Sequence, residues 1–169
     1  MDQQSLIFTF LVAIVTTALM LTSVQFLAKK QKIQIESEQK INISYSIWIS
    51  SLMITFFMFL KVALVLIENS IELIIFSKTI EAPFMTVMEK IIIFTGFTFI
   101  STFLSYFLVH NLLNILFGSR VNSIEMEKDN RGYFLIKALI LILFTFSVLT
   151  LFQNFLEWFT IKIDTPFYH

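Results

Sequence analysis

The sequence predicts an all-α membrane protein of four transmembrane helices, and three observations lead there. Over half of the 169 residues, 57%, are hydrophobic. Mean hydropathy is +0.82 and charged residues make up only 14%, where soluble domains carry about 25%. The apolar residues fall in four long runs, each near the ~20 residues that a spanning helix needs. A soluble fold of this size has too little interior to hide that much apolar side chain.

The first run covers 5–28. It opens after Asp2 rather than a basic segment, exceeds a signal-peptide core in length and lacks a small-residue cleavage site, so it is expected to remain as a helix. The second covers 43–67, the third 91–117 and the fourth 134–159. Each reaches about 35–40 Å as a helix, enough to span with tilt.

The connections set the orientation. The first, 29–42, carries Lys29, Lys30, Lys32 and Lys40. The third, 118–133, carries Arg120, Lys128 and Arg131. Basic residues in short loops stay cytoplasmic. Both loops are therefore expected inside, with both termini and the middle connection outside. Lysine outnumbers arginine ten to two and Ile and Phe are abundant, the bias of an AT-rich bacterial genome, so the expected place is the bacterial inner (cytoplasmic) membrane, crossed several times. Lys29, Lys30, Lys32, Arg120 and Arg131 become candidate cytoplasmic docking residues. The middle connection, 68–90, is richer in acid, and its stretch Ile71–Phe76 is too apolar for water. That stretch either continues helix two or lies as a short amphipathic segment in the interface, before Pro83 breaks the path. Trp158 and the tail aromatics Phe167 and Tyr168 are expected at the outer interface.

The two halves resemble each other. Ile35-Glu36-Ser37-Glu38 matches Ile124-Glu125-Met126-Glu127, and Asn42 with Tyr45 matches Asn130 with Tyr133. Leu66-Ile67-Glu68-Asn69 matches Leu151-Phe152-Gln153-Asn154, and Glu72 matches Glu157. The reading is two repeats, 1–90 and 91–169, each entering from outside and returning. Such repeats run parallel about an axis along the membrane normal. Asn42 and Asn130 stand at equivalent helix starts. In these features the chain resembles the bacterial inner-membrane family of tandem two-helix repeats of the YjfL type. An Asn closes a short polar loop there and opens the second helix of each repeat. The resemblance implies the same four-helix fold and supplies no activity.

Ionisable groups within a bilayer are functional candidates. Lys61, near the outer end of helix two, either snorkels or pairs with Glu68 or Glu157 on a polar path. His110, with Asn111 and Asn114 beside it, suits either a proton shuttle or an interhelical hydrogen bond. Lys137, one turn into helix four, is expected to snorkel. Hydroxyl stripes recur: Thr9, Thr16 and Ser23; Ser44, Ser51 and Thr55; Thr95, Thr98, Thr102 and Ser105; Ser147 and Thr150, continued by Asn154. They mark helix seams or line a pore. Phe56, Phe57 and Phe59 are expected to face lipid or a neighbouring subunit.

The excluded classes are as informative. With no cysteine, thiolate metal sites and cysteine nucleophiles are ruled out. No H-E-x-x-H, G-x-S-x-G or P-loop occurs, so no catalytic residue, metal or cofactor is expected. Zero net charge gives no general attraction to nucleic acid. The expected role is a non-enzymatic membrane subunit whose partners are the lipid bilayer and a second copy or other membrane proteins. The alternative is an ion channel or pore-forming effector.

Overall fold

The computed structural model describes residues 3–33, 35–37, 40–76 and 82–160. Four helices are long and apolar enough to cross a membrane: α1 (Gln3–Lys30), α2 (Ile43–Phe76), α3 (Pro83–Phe117) and α5 (Arg131–Glu157). A six-residue helix, α4 (Asn122–Glu127), sits in the connection between α3 and α5. A short antiparallel hairpin of β1 (Glu36–Ser37) and β2 (Lys40–Ile41) joins α1 to α2. The tail residues Phe167 and Tyr168 lie outside the described residues.

Helices α2 and α3 overrun the expected boundaries. Ile71–Phe76 forms the last turns of α2 rather than a separate interfacial segment. Ile71 and Ile74 are buried there in one apolar cluster with Val87, from a turn of α3 that precedes its expected start, and with Ile91 at that start. Pro83 opens α3 instead of interrupting it, because the first helical position needs no N–H. At ~1.5 Å per residue the two helices reach about 50 Å, well beyond the ~30 Å hydrocarbon layer.

Local chemistry fixes the ends. Lys32 takes a left-handed φ of 52° just past α1. It lets Lys32 N–H and Ile33 N–H bond back to the carbonyls of Lys29 and Ala28 at 3.1 and 3.0 Å, while Ile33 and Ala28 are both buried. This is the closing motif that usually employs glycine. Helix α4 closes the same way through Asp129 at φ 44°. Helix α5 is capped by Asn130, whose Oδ1 accepts the Tyr133 N–H at 3.2 Å. The start of α2 is capped from outside its own hairpin. Asp129 Oδ1 accepts the Ser44 N–H at 3.1 Å and its hydroxyl at 2.8 Å, placing a carboxylate where the helix dipole favours it.

Helices α2 and α5 form the central pair and run parallel. Ser44 meets Asp129, Thr55 meets Thr145 and Phe59 meets Phe152 in ascending order. Helix α3 packs antiparallel against both: Trp48 and Phe56 meet Tyr106 and Phe99, and Phe97 meets Phe155. Helix α1 lies at the edge, mainly against α2. Its outer face, including Ile7, Phe10 and Ile14, is exposed.

The core divides by depth. One cluster fills the half near the basic loops, around Trp48, Phe56, Tyr106 and Phe134. The other fills the opposite half, around Phe59, Ile67, Phe94 and Phe152. Phe56 and Phe59 are thus interior, contrary to the expectation of a lipid-facing trio, and only Phe57 is exposed. Lipid is as apolar as these side chains, so close packing rather than water exclusion holds the helices together.

Candidate functional site

The largest convergence of polar side chains lies inside the bundle at its basic end, around Lys137. On α5, Tyr133, Lys137, Leu141 and Thr145 recur every four residues along one buried stripe. A lysine on that stripe cannot reach headgroups. Lys137 is 2% exposed, which corrects the snorkelling expectation.

The surroundings of its Nζ are neutral. It donates to Asn122 Oδ1 at 2.9 Å and to Tyr106 Oη at 3.5 Å, and lies 3.2 Å from His110 Nδ1. It also sits 4.6 Å from the centre of the Tyr106 ring, a cation–π distance. Asn122 donates to Tyr106 Oη at 2.7 Å and to Gln31 Oε1 at 3.0 Å. Trp48 Nε1 donates to the same Tyr106 oxygen at 3.2 Å. One connected set of bonds therefore reaches α2, α3, α4, α5 and the turn after α1.

A second branch leads to the surface. His110 Nε2 is 3.4 Å from Asn114 Nδ2, and Asn114 Oδ1 accepts the Arg120 N–H at 3.3 Å. Arg120 pairs with the buried Glu125 at 3.1 Å. Glu125 Oε2 accepts from Asn130 Nδ2 at 2.5 Å. The ion pairs among the described residues are Arg120–Glu125 and Arg131–Asp129; neither includes Lys137. The Arg131 guanidinium, at 2.6 Å, and then the bonds from Ser44 hold the Asp129 carboxyl below its usual range.

The remaining sequence candidates separate. Lys61 is exposed on α2 and forms no ion pair with Glu68 or Glu157 among the described residues. Glu68 keeps one buried carboxylate oxygen without a hydrogen-bond partner. Glu157 is exposed and accepts from Gln153 at 3.0 Å. Asn111 is exposed, whereas His110 and Asn114 are half-buried in the network. Of the docking candidates, Arg120 and Arg131 are engaged within the chain, and Lys29, Lys30 and Lys32 stay exposed. Among the described residues, no group of three or more His, Asp or Glu converges as a metal site would require.

The hydroxyl stripes also separate. Ser44, Ser51 and Thr55 of α2 and Thr98, Thr102 and Ser105 of α3 are buried between helices. Ser51, Thr98 and Thr102 bond to their own helix, at the Trp48, Phe94 and Thr98 carbonyls, 2.8, 2.9 and 2.8 Å away. They act in the seam chiefly by being small. Thr55 and Thr145, 3.4 Å apart, bond across it. On α5, by contrast, Ser147, Thr150 and Asn154 all face outward.

Sequence reasoning missed Lys137, Asn122, Tyr106 and Gln31 as one unit. The available signal was the four-residue spacing of Tyr133, Lys137, Leu141 and Thr145, opposite in phase to the outward stripe. No family model, curated protein or solved structure matches this chain.

Proposed function

We propose that this integral membrane protein is a non-catalytic membrane subunit that associates with a second copy of itself through the outward stripe of α5. The observation that carries the reading is the different fate of the stripes. Those of α2 and α3 are buried within the chain apart from the half-buried Thr95, while Ser147, Thr150 and Asn154 are exposed at three- and four-residue spacing. Hydroxyls and amides both donate and accept, so such a stripe complements itself, and small side chains let two helices approach closely. It carries no charge that a second copy would repel.

The interior supports packing over conduction. Phe56, Phe59, Phe94 and Phe152 are all buried between the polar network and the opposite end, which leaves any water path to contacts between chains. The basic end, with Lys29, Lys30 and Lys32 exposed, is read as cytoplasmic, in a bacterial inner membrane with both termini outside. There it offers a docking surface to further membrane proteins. The parallel course of α2 and α5 supports the tandem-repeat reading and the resemblance to the YjfL-type family.

Because the chain has no cysteine, a single introduced thiol tests the stripe. Thr150→Cys in native-like bilayers should cross-link two copies under mild oxidation. Ile7→Cys, on the exposed face of α1, should not. Equal cross-linking from both positions, or none from Thr150→Cys, would refute self-association through α5.

A further inference from the structure

At the end opposite the basic loops, α2 and the C-terminal end of α5 with the turn after it line a cleft of about 550 Å³. Its volume lies within the ~300–1,000 Å³ of typical ligand sites. Leu66 and Leu73 form its apolar wall, and Asn69, Asn154, Glu157 and Trp158 supply its main polar and aromatic groups. Asn69 and Asn154 are the equivalent residues of the sequence match, here lining one cleft from two parallel helices.

The chemistry of the cleft has one sign. Among the described residues, no lysine or arginine lines it. Glu157 supplies a carboxylate, of which Oε1 accepts from Gln153. Helix α5 ends at Glu157, and the carbonyl end of a helix favours a positive group. Trp158, 77% exposed, supplies an indole face, the aromatic surface that best attracts a cation. The Asn69 and Asn154 carbonyl oxygens can accept N–H bonds. The Ser70 and Thr160 hydroxyls already bond to the Leu66 and Glu157 carbonyls, at 2.7 Å each.

We propose that this cleft binds a primary ammonium group, supplied by a phospholipid headgroup or a soluble amine. The carboxylate, the helix end and the indole all favour that charge, and the amide oxygens receive its N–H donors. An ammonium fits better than a metal ion, because the single carboxylate among the described lining residues provides too few hard oxygen ligands for a dedicated cation cage. The cleft shares Asn154 with the self-association stripe, whereas Glu157 and Asn69 lie outside that stripe, so variants at those two positions test the cleft separately.

The two tryptophans provide the test. Labelled as 5-fluorotryptophan, Trp158 reports on the cleft, and Trp48, 1% exposed, is the internal reference. The full chain is placed in phosphatidylglycerol nanodiscs and titrated with ethanolamine. The Trp158 resonance should shift saturably while Trp48 stays still, and ethylene glycol, the neutral analogue, should do nothing. Loss of a charge-assisted bond in Glu157→Gln should weaken binding about tenfold, and Asn69→Leu should weaken it too. If phosphatidylethanolamine nanodiscs already give the shifted resonance, the headgroup is the source. If they match phosphatidylglycerol and only added ethanolamine shifts it, the source is soluble. No saturable shift, an equal response to ethylene glycol, or unchanged affinity in Glu157→Gln would overturn the proposal.

Discussion

Replacing Lys137 by methionine keeps an unbranched apolar stem and removes Nζ. The change strips the donor from Asn122 Oδ1 at 2.9 Å and the contact with His110 Nδ1 at 3.2 Å. A buried acceptor left without a donor costs about 1–3 kcal/mol. Two such losses are partly offset because the amine no longer has to be held out of water. The net expectation is a loss of about 2 kcal/mol, where a lipid-facing lysine would change stability by less than ~0.5 kcal/mol. A double-mutant cycle with Asn122→Leu isolates the bond and should give a coupling of about 1–2 kcal/mol. The assay is reversible unfolding in mixed micelles, followed by the fluorescence of buried Trp48. A Lys137→Met variant as stable as the parent, or a coupling below ~0.3 kcal/mol, would refute the reading of Lys137 as the centre of the network.

Other expectations follow from the same structure. The Asp129 carboxyl is held low by Arg131 and Ser44, so its contribution is present above the unfolded value of about 3.9 and is lost as pH falls through the lower folded value. Protection of the Ser44 amide against hydrogen exchange should therefore be steady from neutrality to about pH 5 and fall below about pH 4; Asp129→Asn should abolish that acid step. Lys32→Gly should stabilise the chain by up to about 1 kcal/mol, because glycine adopts the left-handed conformation without strain, and thermal unfolding would register it. Lys61→Ala, on the exposed face of α2, should alter stability by less than ~0.5 kcal/mol; a larger loss in the same unfolding assay would show that Lys61 has a partner.

The four spans were legible because membrane helices announce themselves by length and hydropathy alone. The limits of α1 and α5 fall within three residues of the expected ones. The limits of α2 and α3 do not, since their last and first turns are helical through packing on each other: Ile71 and Ile74 against Val87 and Ile91. Helix α4 is too short for periodicity to reveal, and it exists through contacts, with Met126 wholly buried. The site was less legible for a related reason. Depth along a helix can be read by counting residues, but whether Lys137 faces lipid or protein depends on which stripe meets α3 and α4. Phe56 and Phe59 were misplaced on the same ground. His110 and Asn114 were expected as polar residues at depth, yet their partners Lys137 and Arg120 became evident only in three dimensions.

Self-association through the outward stripe of α5 is the proposal on which the functional reading rests. Counting photobleaching steps of the labelled protein in native-like bilayers, with the double variant Ser147→Leu, Thr150→Leu alongside, tests it most directly. The parent chain should form dimers or larger assemblies and the variant should remain monomeric. A parent chain that remains monomeric at every density, or a variant that assembles as the parent does, would contradict it.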